Sequence, residues 1–194
     1  MFFKVQQRFQ LCLVRRHDFP TSRLRLAREQ GREREINDVL DISIRVATAA
    51  DAPLLARARY ALRSSTGPTI EDEPEFVRRC TTWMEERLHE GHPWRCWIAE
   101  KEHSLVGNVW VQLIEKIPNP APKSEYYAYL SNFYVNGDVR GTGIGSLLLS
   151  VALNWCREQG VHAVILWPTD RSRSLYLRYG FAVRDDVLEL LLEE

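Results

Sequence analysis

The spacing of apolar residues changes repeatedly along this chain, and each change marks an element. "ISIRVAT", from Ile42, alternates apolar and polar positions, predicting a strand with Ile42, Ile44 and Val46 on one face. "TAADAPLLARARYALRSS" shifts to helical spacing, with a Thr48 or Asp51 cap, Pro53 in the first turn and a close near Gly67-Pro68. "IEDEPEFVRRCTTWMEERLHEG" predicts a second helix, with Pro74 near its start, Phe76, Cys80, Trp83 and Leu88 on one face, and Gly91 at its end. "WRCWIAE" and "LVGNVWVQLIE", separated by the polar "KEHS", read as a hairpin. A proline-rich loop, "IPNPAPKSE", leads to the long aromatic strand "YYAYLSNFYV". Beyond it lie the apolar helix "GSLLLSVALNWCREQG", closed by Gly160, and a buried strand, "HAVILW". A short helix, "RSRSLYLRYGF", closes at Gly180, and "VLELLL" is expected as a last strand.

The order β-α-α-β-β-β-α-β-α-β predicts a mixed sheet with a central hairpin, not the steady alternation of a doubly wound fold. The segment before Ile42 differs in kind. "RLRLAREQGREREINDVL" is charge-dense and poor in large apolar residues, so 1–41 is expected as a helical or partly mobile extension and 42–194 as one domain.

Composition narrows the function classes. An apolar fraction of 45% over 194 residues suits one folded domain with a sizeable core. Lys+Arg and Asp+Glu both total 26, so there is no global basic field to hold a nucleic acid. Cys12, Cys80, Cys96 and Cys156 lack metal-ligand spacing, so no metal site is expected and reduced thiols in a cytoplasmic protein are the simplest reading. "MFFKVQQRFQLCLVRR" is broken by Lys4, Arg8 and Arg15, which argues against a cleavable signal, and no run reaches the length of a membrane span.

The candidate chemistry starts at "VRGTGIGSLLLS", where glycines 141, 143 and 145 stand between a strand and a helix. Free N–H groups at a helix start, approached without Cβ hindrance, suit a phosphate; the alternative is a plain turn. The dinucleotide pattern GxGxxG fails at Ser146, and a P-loop would need a lysine that does not follow.

In context, "YLSNFYVNGDVRGTGIGSLLL" resembles the acetyl-CoA-binding segment of the GNAT superfamily of N-acetyltransferases. "SRSLYLRYGF" resembles that superfamily's second signature, with a tyrosine four residues before Gly-Phe. The resemblance covers 42–194 and implies an α+β fold with a mostly antiparallel central sheet of about six to seven strands flanked by helices. It implies acetyl-CoA as donor, with the pyrophosphate on the N–H groups of Gly141, Thr142, Gly143, Ile144, Gly145 and Ser146. Arg140 would add charge or brace the turn, and Phe133, Tyr134 and Val135 would lie along the pantetheine. Tyr176 matches the family's general acid for the departing thiolate, in direct transfer to a primary amine of a small molecule or peptide. The family's cofactor-contacting Asn is replaced by Thr169, with Ser172 at the usual small position.

Other residues carry two readings. Glu125 is a general-base candidate or a solvated strand-end charge, and His162 reads as structural. The acidic run "IEDEPE" either draws in a cationic amine or simply opens a helix before Pro74. The apolar "VLELLL" edge invites a homodimer. The rival function is a non-catalytic acyl-CoA-binding module on the same fold.

Overall fold

The computed structural model describes residues 41–65, 67–118, 120 and 124–192, so the extension expected over 1–41 lies almost wholly outside the described residues. Strand β1 (Ile42–Val46) pairs antiparallel with β2 (Trp94–Lys101), which forms a hairpin with β3 (Ser104–Glu115). The hairpin turn is two residues long: Glu102 and His103 take φ of +49° and +63°, a primed-turn geometry that matches the twist of the flanking strands. Strand β4 (Tyr126–Val135) lies antiparallel to β3, and β5 (Val164–Ile165) joins it in parallel, giving the order β1-β2-β3-β4-β5.

Period-two alternation sends neighbouring residues of β2 and β3 to opposite layers. Trp97, Val109 and Val111 pack with α3 (Ile144–Glu158) and with Tyr176 of α4 (Asp170–Arg178). Cys96, Ile98 and Trp110 pack with Leu55 of α1 (Ala52–Ser64) and Met84 of α2 (Glu73–Glu85). The sheet is thus covered on both faces, which makes the architecture α+β as expected. Among the described residues no helix is long and apolar enough to cross a membrane, and no group of three or more metal-ligating side chains gathers. Cys80, Cys96 and Cys156 are free thiols whose pKa values burial raises; Cys12 lies outside the described residues.

Two expectations need correction. The sheet has five strands among the described residues, not six or seven, because "VLELLL" forms no strand: Val187, Leu188, Leu190, Leu191 and Leu192 are all exposed. "HAVILW" is also not a fully buried strand. It contributes only the two residues of β5, with Ile165 and Trp167 exposed. So short an edge offers a further strand little to pair with, and Leu and Glu favour a pleated edge less than β-branched residues do. The strand on which a dimer was expected is therefore absent.

One ion-pair network ties β1 and β2 to the start of α1. Arg45 donates to Asp51 at 2.7 and 2.8 Å and to Glu100 at 2.7 and 3.1 Å. Asp51 also accepts from the N–H (2.7 Å) and hydroxyl (3.0 Å) of Thr48, closing the chain entry into the helix. The Arg45 guanidinium holds the Asp51 carboxyl at about 2, against the opposing effect of burial. A depressed carboxyl contributes stability above its unfolded pKa and loses it as pH falls through the folded value. We therefore expect a contribution of about 1–2 kcal/mol, discounted for the exposed side of Arg45, that disappears between roughly pH 4 and 2. Chemical denaturation across that window should show the fall in the native protein and a flatter profile in Asp51→Asn; matching slopes would contradict the assignment.

Candidate active site

The site is organised by an irregularity in β4. From Tyr126↔Glu115 to Ser131↔Trp110 the β3–β4 register is unbroken, but the next pair is Tyr134↔Asn108, so β4 carries one extra residue. Asn132 absorbs it at φ +46°, a left-handed conformation that asparagine tolerates better than most side chains. Asn108, fully buried on β3, donates its amide to the Asn132 carbonyl at 2.8 Å. The bulge turns Phe133 and Val135 toward α3 and α4, whereas Tyr129 and Ser131 face the α1–α2 side. Since β5 pairs only with Ala128 and Tyr129, the remainder of β4 has no strand neighbour on that side among the described residues. Opposite this open stretch stands Gly107, where a Cβ would lie 2.9 Å from the Tyr134 carbonyl oxygen and 3.1 Å from Leu148 Cδ1.

The open stretch runs straight into the glycine loop. Arg140 Nε donates to the Val135 carbonyl at 2.9 Å, and Thr142 Oγ1 donates to the Val139 carbonyl at 2.7 Å, so both side chains brace the turn. Gly141 and Gly143 take φ of +81° and +102°, conformations that favour glycine. Gly143 caps α3, and the first helical bond runs from Leu147 N–H to its carbonyl at 3.1 Å. The N–H groups of Ile144, Gly145 and Ser146 therefore have no acceptor within the helix. Gly145 needs another explanation, because a Cβ there would meet only ordinary contacts at 3.6–3.8 Å and its φ is not positive.

Tyr176 approaches from α4. It is 6% exposed, its ring between Phe133 (centroids 6.1 Å) and Phe181 (5.5 Å). Burial pushes its phenol up to about 12, and a hydrogen bond with Ser172 acts in the opposite direction. Ser172 also bonds to the Thr169 N–H, carbonyl and hydroxyl, each at 3.0 Å, so both hydroxyls of the replaced motif serve the helix start. Tyr179 has a role that its spacing did not reveal. Its hydroxyl donates to the Ser146 carbonyl at 2.9 Å and lies 3.0 Å from Ser150 Oγ, tying α4 to the first turns of α3.

On the other face of the sheet lies a cavity of about 580 Å³. Arg59 and Arg63 of α1 line it, with Phe76, Arg79, Cys80, Trp83 and Met84 of α2. Trp94, Trp110, Trp167 and Tyr129–Asn132 complete the wall. Trp83 meets Trp94 edge-on at 5.4 Å, and Trp167 meets Tyr129 at 5.3 Å. No carboxylate lines it among the described residues, so Glu125 is not brought to the cavity. The acidic run opens α2 instead: Asp72 accepts from Glu75 N–H at 3.0 Å, and Glu71 pairs with Arg79. His162 packs its ring against Tyr127.

Sequence reasoning passed over Arg59 and Arg63. Their signal was present, because they fall on the same helical stripe as Ala52, Leu55 and Ala56, where charges are otherwise absent.

Residues 59–181 match the family described as the acetyltransferase (GNAT) family. The chain belongs to that family. The chain is 31% identical over 108 residues to the mycothiol acetyltransferase of Cellulomonas flavigena and 27% identical over 122 residues to that of Thermomonospora curvata. These matches cover 50% and 59% of the chain but only 30% and 37% of the relatives, so the chain spans about a third of their length. Among solved structures it is similar to a predicted acetyltransferase with acetyl-CoA from Clostridium acetobutylicum (TM-score 0.65, 26% identity, 78% of this chain and 96% of the other). A GCN5-related N-acetyltransferase from Ralstonia eutropha shares the fold (TM-score 0.66, 24% identity, 78% and 99% coverage).

The Gly107 contact generates a stability prediction. Gly107→Ala must displace the Tyr134 carbonyl or the β3 backbone, and is expected to lower the unfolding free energy by about 1–3 kcal/mol. Thermal melts of the two proteins test this; an unchanged midpoint would mean that the approach is not tight.

Proposed function

We propose that this GNAT enzyme transfers the acetyl group of acetyl-CoA to a primary amine by direct attack, with both substrates bound. The observation that carries the reading is the unpaired stretch of β4, flanked by the glycine loop at one end and the tryptophan-lined cavity at the other. Acetyl-CoA would lie with its pyrophosphate on the N–H groups of residues 141–146, where the helix dipole adds favourable potential. Gly145, whose Cβ would point toward Leu175, Phe133 and Val135, then keeps the passage between the open strand and the loop free for the cofactor. The pantetheine amides would pair with Phe133–Val135 as an added strand.

In the reaction the amine nitrogen forms a bond to the thioester carbonyl carbon, and the electron pair of the C=O moves to oxygen. A backbone N–H of the bulged stretch can receive that oxyanion. The tetrahedral intermediate collapses as the C–S bond breaks. Tyr176 gives its proton to the sulfur, the nitrogen loses its surplus proton to solvent, and the Tyr176 phenolate takes one back from solvent, so the step is proton-neutral. A phenol raised to about 12 keeps its proton throughout the working range, until a developing thiolate lies beside it. Since no carboxylate or imidazole lines the cavity among the described residues, the amine must enter as its free base.

Two outcomes follow. Tyr176→Phe should lower kcat about a hundredfold or more with little change in the KM for acetyl-CoA, as measured by thiol release over an amine panel. Unchanged turnover would remove the acid role, and cofactor binding without transfer by the native protein would favour a non-catalytic module. The pH dependence of kcat/KM should rise toward the acceptor amine's own pKa without a falling limb below about pH 10, because the raised Tyr176 stays protonated there. A falling limb near pH 8 that vanishes in Tyr176→Phe would contradict this.

A further inference from the structure

We propose that the acceptor amine carries a carboxylate on an apolar, aromatic-sized body, and that Arg59 binds the carboxylate; this rests on the cavity being the acceptor site of the transferase proposed above. Arg59 projects from the stripe of α1 that carries Ala52, Leu55 and Ala56 into the cavity and is half-buried. Its side chain donates to Asn132 Oδ1 at 3.4 Å, a long bond to a neutral group. Among the described residues no carboxylate pairs with it, whereas Arg45, Arg79 and Arg184 each have one. Desolvation lowers the Arg59 pKa and the nearby Arg63 charge lowers it further, so the guanidinium sits where a bound anion relieves both effects.

Two further observations specify the ligand. Arg79 across the cavity is already neutralised by Glu71, which leaves Arg59 as the half-buried guanidinium of the cavity wall available to an anion. The remaining wall is largely aromatic, which suits an apolar body, and its arginines repel a polyamine. A carboxylate fits the planar guanidinium fork in two parallel hydrogen bonds. Because Arg59 touches Asn132, the anion would be anchored beside the bulge at the head of the open strand, within one small molecule's reach of the thioester.

The test is a matched pair of product-like probes, N-acetylphenylalanine and N-acetylphenylalaninamide, titrated against the full chain and followed by the fluorescence of the cavity tryptophans. The carboxylate is expected to bind roughly tenfold to a hundredfold more tightly, the range of a charge-assisted hydrogen bond. Arg59→Gln should remove the difference and Arg59→Lys should retain part of it, with circular dichroism reporting whether each variant is folded. Equal binding, tighter binding of the amide, or a carboxylate preference that survives in folded Arg59→Gln would overturn the proposal. If Arg59→Gln does not fold, the native pair alone decides. Acetyl transfer to phenylalaninamide or a diamine but not to phenylalanine would sink this inference while leaving the transferase reading intact. Carboxylate-selective binding without transfer to any amine would do the reverse.

Discussion

The hydrogen bond from the buried Asn108 amide to the Asn132 carbonyl, 2.8 Å long, holds β4 in the one shape from which the rest of the site follows. Left-handed backbone at a non-glycine residue costs about 1 kcal/mol or more, and a well-formed buried hydrogen bond is of the size needed to offset it. Because a strand alternates strictly, one extra residue reverses which side chains face which layer. Tyr129 and Ser131 therefore look toward the cavity under α1 and α2, while Phe133 and Val135 look toward α3 and Tyr176. A regular strand would have sent position 133 to the cavity side and removed the ring that packs against the catalytic candidate.

The same bulge links the two halves energetically. Asn132 offers its carbonyl to β3 and its side-chain oxygen to Arg59, so a ligand on Arg59 acts directly on the residue that shapes the open edge. On the opposite layer, Tyr179 holds α4 against the start of α3, which fixes the distance from Tyr176 to the glycine loop. The Arg45–Asp51–Glu100 network performs the corresponding task for α1, setting the helix that presents Arg59. The proposed donor and acceptor sides are thus positioned by separate braces on opposite faces of the sheet.

Much of this was legible in the residue pattern because local rules decide it. Gly141, Gly143, Gly160 and Gly180 all stand at left-handed positions that punctuation by glycine anticipates. Tyr176 is singled out by its distance from Gly180-Phe181, and the helices are marked by their apolar spacing. The errors arose where tertiary context outweighs local preference. "VLELLL" has the apolarity of a strand but forms none, β5 offers it an edge of only two residues, and an apolar run says nothing of its neighbour. The bulge was hidden because "LSNFY" reads as uninterrupted strand, and only the fixed register with β3 exposes the extra residue. The acidic run drew attention by charge, yet its members are satisfied locally by Arg79 and by the N–H of Glu75. Arg59, masked by an arginine-rich composition, has no carboxylate partner among the described residues.

The central claim is that the unpaired half of β4 is where the acetyl donor and the acceptor cavity meet. A crystal structure of the protein with acetyl-CoA tests it most directly. The account predicts the pyrophosphate on the N–H groups of residues 141–146, the pantetheine along Phe133–Val135, and the thioester beside Tyr176, with its carbonyl turned toward Asn132. A cofactor bound elsewhere, or a thioester on the far side of β4 from the cavity, would contradict it.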